Sequence, residues 1–212
     1  MKSIKETLKV YAVTDRRFLN GRRLVDDVEK TIKGGATFIQ YREKSGQLNR
    51  EEMIAEAKDI KELCAKYHVP FVIDDDVAMA KEVGADGVHV GQDDMACQLA
   101  REKLGQEAII GVSAQTVEEA IEAEKQGADY LGVGAVFSTN SKDDAIEVPK
   151  ETLKAICEAV SIPVIAIGGV TADNTKELKG TGIVGVAVIS AIFGADDIVF
   201  ATQKLSEAVK EL

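Results

Sequence analysis

Eight short runs rich in β-branched residues recur along the chain, at 10–14, 38–42, 71–75, 87–91, 109–113, 130–137, 163–169 and 185–190, each ending in polar or glycine residues. Between them lie segments with a charge every three or four positions, among them 51–67, 117–126 and 150–159. That pattern belongs to helices that lay one apolar face on a sheet. Glycine follows the helical segments at Gly34-Gly35, Gly84 and Gly127, where the chain must enter the left-handed region to leave a helix. Strand and helix in strict alternation, joined by right-handed crossovers, make a parallel sheet. Eight such units in 212 residues predict an α/β fold, a single (β/α)8 TIM barrel spanning 1–212 as one domain. The rival, a doubly wound open sheet, calls for a Gly-x-Gly-x-x-Gly turn after the first strand, and Val13-Thr14-Asp15-Arg16 stands there instead.

Charge narrows the partners. With 26 basic and 36 acidic side chains the net charge is −10, which argues against nucleic-acid or anionic-membrane surfaces, since these need a basic footprint. Any anionic ligand must therefore meet a local basic cluster. No apolar run reaches the ~18 residues of a membrane span, and the charged start Met1-Lys2-Ser3-Ile4-Lys5 predicts no export signal. Cys64, Cys97 and Cys157 lie far apart and are expected to be buried, reduced thiols of a cytoplasmic protein. Trp is absent and aromatics make up 5% of the chain, so no base-stacking platform is expected. The oligomeric state is left open, a homo-oligomer included.

In a barrel the ends of all strands surround one mouth, and chemistry sits there. Strands seven and eight supply Gly168-Gly169 and Ser190, a glycine pair and a small polar residue opening a helix, whose backbone N–H groups can hold a phosphate. A second constellation joins the cations Arg42, Lys44 and Lys142 to the acidic ends Asp75 and Asp94. Carboxylates on neighbouring strands can share a hard cation such as Mg²⁺, which also takes phosphate oxygens. With hydroxyls from Thr139 and Ser141 nearby, the expected occupant is a metal-bound diphosphate. Two anion sites at one mouth suit the joining of two phosphorylated fragments or one doubly phosphorylated ligand. Gln40 suits the edge of an aminopyrimidine-like ring, or is a hydrogen-bonded residue of a barrel layer. His89, inside Val88-His89-Val90, reads as a satisfied core histidine, and His68 is given no role. With two histidines, no Ser/His/Asp arrangement is visible.

Gln40-Tyr41-Arg42-Glu43-Lys44, Gly91-Gln92-Asp93-Asp94, Gly111-Val112-Ser113, Phe137-Ser138-Thr139-Asn140-Ser141-Lys142, Ala166-Ile167-Gly168-Gly169 and Val188-Ile189-Ser190-Ala191-Ile192 resemble thiamine phosphate synthase, in the family's order, from about residue 10 to 195. The resemblance implies a transferase that couples a hydroxymethylpyrimidine diphosphate to a thiazole phosphate, both small-molecule substrates, and releases pyrophosphate. The diphosphate leaves first, and the thiazole nitrogen captures the resulting pyrimidinylmethyl cation. Carried over by position, Asp75 and Asp94 hold Mg²⁺. Arg42, Lys44, Lys142, Ser113, Thr139 and Ser141 bind the departing diphosphate, with Lys142, Arg42, Lys44 and Ser113 as the catalytic set. Gln40 orients the pyrimidine, and Gly169, Ile189 and Ser190 place the thiazole phosphate.

Asp74 departs from the family, which normally has Asn before the metal-binding Asp; Asp74 is kept among the substrate-binding residues. Smaller departures are Ser138 and Ala135 where prolines are frequent, and Ser141 for Thr. Two other readings stay open. A thiazole tautomerase shares the phosphate cup, but it relies on a histidine two positions after the strand-five serine, where this chain has Gln115. A non-catalytic thiamine-phosphate-binding protein, made inert by Asp74, is the other. The segment 138–145 is a candidate lid over the mouth.

Overall fold

In the computed structural model, which describes residues 3–91, 97–139 and 147–212, the eight runs form eight parallel strands. They are β1 (Val10–Val13), β2 (Phe38–Tyr41), β3 (Phe71–Asp74), β4 (Gly87–Val90), β5 (Ile109–Ala114), β6 (Tyr130–Val133), β7 (Val164–Ile167) and β8 (Gly185–Val188). Each pairs with the next and β8 returns to β1, with Val10 opposite Val186, so the barrel closes. No strand edge is left to solvent.

Around the strands run α1 (Ile4–Thr7), α2 (Leu24–Lys33), α3 (Arg50–Tyr67), α4 (Val77–Val83), α5 (Cys97–Leu104), α6 (Val117–Lys125), α7 (Lys150–Ala159), α8 (Ser190–Phe193) and α9 (Ile198–Val209). Local chemistry sets their starts. Asn49 accepts from the Glu52 amide (3.0 Å) while Glu52 accepts from the Asn49 amide (2.8 Å), and Thr116 with Glu119 repeats the box at α6. Asp76 accepts from the Met79 amide (2.7 Å) and caps α4. Gly35, Gly84 and Gly127 all take positive φ after their helices, as the turn pattern predicts. His68 does the same work at φ 57 after α3, in a non-glycine residue.

Strand parity divides the core in two. Tyr11, Val13, Phe38, Val72, Tyr130, Ile165 and Ala187 point inward and fill the barrel, with Leu8, Val184 and Ile4 packed at the N-terminal end. Their neighbours, such as Ala12, Ile39, Ile73 and Val186, point outward and pack under the helices.

Three details differ from the sequence reading. The sixth strand ends at Val133 rather than 137, because the 134–137 segment leaves the ladder. Its amides instead bond the end of β7, Val136 to the Ile167 carbonyl (2.9 Å) and Phe137 to that of Gly168 (3.1 Å). After β7 the alternation predicts a helix, but a 3-10 turn, Thr175–Leu178, stands there; Gly180 and Gly182, both at positive φ, stop it early. Cys64 and Cys97 are buried as expected, whereas Cys157 is only half-buried; all three are free thiols. No helix among the described residues is long and apolar enough to cross a membrane.

Candidate active site

At the C-terminal ends of the strands a cavity of about 410 Å³ opens. A wider, shallow depression of about 740 Å³ lies at the other end of the strands, lined by Val69, Pro70, Ala108 and Ile109 among others, and touches none of the predicted residues. The mouth cavity is lined by Gln40, Arg42, Lys44, Asp74, Asp75, Ser113, Thr139, Gly169, Ile189 and Ser190. All ten sequence-predicted residues within the described chain therefore meet in one space. Asp94, Ser141 and Lys142 lie outside the described residues, as does most of the 138–145 segment.

One wall carries the charge. Arg42 follows β2, and its backbone is tied to β1 on both sides: its amide donates to Thr14 Oγ1 (2.9 Å), and Thr14 Oγ1 donates to its carbonyl (3.1 Å). Behind it, Glu43 turns inward to accept from Arg16 Nε (2.6 Å) and from the Ser45 amide (2.7 Å). Arg16 also pairs with Glu56 of α3. With Glu43 anchored inside, its neighbours Arg42 and Lys44 face the mouth, since successive residues of an extended chain point to opposite sides.

Asp74 and Asp75 come from the end of β3. Lys44 Nζ is 2.5 Å from Asp75 Oδ2 and 3.5 Å from Asp74 Oδ2, and Arg42 Nε is 3.6 Å from Asp74 Oδ2. Asp75 sits at φ 60, a conformation aspartate tolerates better than most residues. Burial, with Asp75 beside it, pushes the Asp74 carboxyl up to about 6, against the pull of Lys44 and Arg42. Burial opposes the charge on Lys44, but Asp75 and Asp74 outweigh it and raise the amine above its ordinary value.

The donor set suits a hard divalent cation. Asp75 offers carboxylate oxygens at the mouth, where the Lys44 ammonium already places positive charge against it. Among the described residues no group of three or more acidic, His or Cys side chains converges, so the set needs a further oxygen donor such as Asp94.

The opposite wall is built from backbone. Gly168 (φ 95) and Gly169 (φ 65) turn sharply after β7. A Cβ on Gly169 would lie 2.4 Å from the Ser138 carbonyl oxygen, and one on Gly168 2.5 Å from Ala135 Cα, so neither position admits a side chain. Asn174 Nδ2 donates to the Gly169 carbonyl (2.9 Å) and holds the turn. Beside it, Ser190 opens α8 directly after Ile189. Gln40 is buried in the barrel and donates to Tyr11 Oη (2.8 Å). His89 bonds Tyr130 and Ser113, the satisfied histidine expected.

Sequence reading passed over Thr14, Glu43 and Asn174, which hold the mouth without facing it. Their only signal was adjacency to residues already singled out. Tyr11 and Tyr130 were also passed over, although both are phenolic residues at inward positions of strands otherwise made of aliphatic groups.

A closed parallel barrel with cations, carboxylates and a glycine cup on one rim is the architecture of (β/α)8-barrel enzymes, a class that carries its chemistry at that end of the strands. The model of the thiamine monophosphate synthase family matches residues 10–192. A thiamine-phosphate synthase of Clostridium tetani is 47% identical over 197 residues, 93% of either chain. One of Pyrococcus furiosus is 44% identical over 210 residues, 99% of either chain. A solved structure of a thiamine phosphate pyrophosphorylase from Pyrococcus furiosus gives a TM-score of 0.89 at 44% identity, covering 99% of this chain and 98% of that one. This chain belongs to the thiamine monophosphate synthase family.

Proposed function

We propose that the mouth condenses 4-amino-2-methyl-5-(diphosphooxymethyl)pyrimidine with a thiazole phosphate to give thiamine phosphate and pyrophosphate. The single observation that carries the reading is the meeting of a cation-bearing wall (Arg42, Lys44) and a glycine cup (Gly168, Gly169) across one cavity. Such a mouth receives two anionic groups at once.

The carbon–oxygen bond to the diphosphate breaks, and the electron pair leaves with the diphosphate. Arg42, Lys44 and Lys142, with hydroxyl donors from Ser113, Thr139 and Ser141, stabilise the charge that develops there. Donors fixed before the reaction need no reorganisation, which makes this the dominant catalytic term. Gln40 holds the pyrimidine so that its methylene faces the thiazole. The backbone of Gly169 and Ile189 and the hydroxyl of Ser190 hold the thiazole phosphate, so the ring nitrogen is in place when the pyrimidinylmethyl cation forms. The nitrogen lone pair then makes the new carbon–nitrogen bond, and no protein base is required.

Asp75 and Asp94 would hold Mg²⁺, which supplies Lewis-acid neutralisation of the diphosphate. The three free thiols support a cytoplasmic location.

Incubation with both substrates and Mg²⁺ tests the reading: pyrophosphate must appear with thiamine phosphate in equal amounts. Ligand binding without pyrophosphate would favour the non-catalytic binder. Gln115 donates to the Gly134 carbonyl (3.3 Å) where the tautomerase needs a histidine.

A further inference from the structure

Beneath the mouth, five side chains from five strands form one unbroken hydrogen-bonded path. Gln40 Nε2 donates to Tyr11 Oη (2.8 Å), Tyr11 Oη bonds Tyr130 Oη (2.8 Å), Tyr130 Oη is 3.0 Å from His89 Nδ1, and His89 Nε2 is 3.0 Å from Ser113 Oγ. The path thus begins at the residue assigned to the pyrimidine and ends at one assigned to the diphosphate.

The barrel makes room for it. In the strand register His89 lies opposite Gly111, and Gly111 opposite Tyr130, so the two rings meet across a glycine. A Cβ on Gly111 would stand 2.1 Å from Tyr130 Cζ and 2.5 Å from His89 Nδ1, and one on Gly132 would stand 3.1 Å from His89 Cε1. Glycine inside a strand weakens it and marks a close approach. Here the approaching group is the path itself.

Proton counting gives the path a direction. Each hydroxyl has one proton to donate. The Gln40 amide donates to Tyr11, and the ordering that leaves no buried hydroxyl proton unused has Tyr11 donating to Tyr130 and Tyr130 to His89 Nδ1. The imidazole proton is then on Nε2 and is donated to Ser113 Oγ, which turns the serine's own proton away from the ring. The opposite direction would draw that proton onto His89 and aim a serine lone pair at the mouth, where an anion is to bind. Both ends thus favour one polarity. Burial keeps every member of the path uncharged: it pushes His89 down to about 4, so one ring nitrogen donates and the other accepts, and it pushes both tyrosine hydroxyls well above their ordinary range.

We propose that Tyr11, Tyr130 and His89 are positioning residues for the coupling reaction. Through this one-way path they fix the orientation of the Gln40 amide and set the Ser113 hydroxyl as a donor to the departing diphosphate. The proposal rests on the reaction assigned above, and its first test is independent of turnover.

In protein labelled with ¹⁵N-histidine at pH 7.5, the nitrogen shifts of His89 must show a protonated Nε2 and a bare Nδ1. A protonated Nδ1, or an imidazolium, overturns the proposal whatever the activity. The second test is kinetic and uses the isosteric Tyr130→Phe. It should mix the two tautomers and lower kcat about tenfold, with KM for the thiazole phosphate unchanged. Added to Ser113→Ala it should cost clearly less than it does alone, because the share that reaches the diphosphate through Ser113 is already gone and only the Gln40 end remains. Wild-type kcat in Tyr130→Phe, or additive losses in the double variant, also overturns it. Failure of the wild type to release pyrophosphate would instead remove the reaction assignment, leaving the tautomer result to stand by itself.

Discussion

Replacing Asp74 by Asn should make this protein a faster enzyme. The Asp74 carboxylate lies 3.6 Å from Arg42 Nε and 3.5 Å from Lys44 Nζ, two cations that line the mouth. It therefore neutralises part of the charge the leaving group needs. A phosphate oxygen resting on either cation would stand roughly 6 Å from the carboxylate, and unit charges at that separation repel by about 3 kcal/mol at an effective dielectric of about 20. Screening by the cations and by water at the open mouth reduces this to about 1–2 kcal/mol, or roughly 5- to 30-fold in kcat/KM. An amide removes the repulsion and adds a donor of similar shape. The assay is continuous pyrophosphate release with both substrates and saturating Mg²⁺. Repulsion of the bound diphosphate is relieved in KM, and the part that grows as the bond breaks is relieved in kcat. Inhibition by pyrophosphate should tighten by a similar factor, a readout that needs no turnover. Unchanged or lower kcat/KM in Asp74→Asn would refute the reasoning and make Asp74 a ligand-holding residue in its own right.

Lys142→Ala and Asp75→Ala should each lower turnover by about two orders of magnitude or more, the scale of a lost preorganised charge-stabilising contact; near wild-type rates in either would remove that residue from the mechanism. Gly169→Ala, with its Cβ placed 2.4 Å from the Ser138 carbonyl oxygen and φ at 65, should raise KM for the thiazole phosphate at least about tenfold while sparing pyrimidine diphosphate binding, as isothermal titration of each ligand would report. Burial holds His89 at about 4, whereas an unfolded histidine titrates near 6.5, so between these values the unfolded chain binds a proton that the native one does not. Native stability should therefore fall as pH drops through that window, by about 2 kcal/mol between pH 7 and 5 from this residue. Urea unfolding at both pH values should show that part of the loss absent from His89→Gln, and equal losses in the two proteins would count against a neutral buried ring.

The strand-end motifs could be read without coordinates because closure of the barrel leaves their residues nowhere else to go. Once eight βα units close, Gln40, Arg42, Lys44, Asp74, Asp75, Ser113, Thr139, Gly169, Ile189 and Ser190 must surround one mouth, and they do. Residues that hold the site from behind left no such trace. Glu43 and Thr14 act through bonds to Arg16 and Arg42, partners whose proximity depends on how β1 and β2 pair. The glycines at 111 and 132 read as ordinary strand residues until the rings of His89 and Tyr130 are seen to occupy their side-chain space.

By itself the chain's alternation of β-branched runs and charged helical faces determined the barrel, and its polar strand ends marked the rim where the candidate site gathers. Periodicity and turn residues are local, so one dimension is enough to carry them. The buried path that links Gln40 to Ser113, and the clasp of Lys44 on Asp74 and Asp75, were decided only in three dimensions. The hydrogen bonds and ion pairs of these two features join groups up to 119 residues apart in sequence, and only the closed sheet sets those distances.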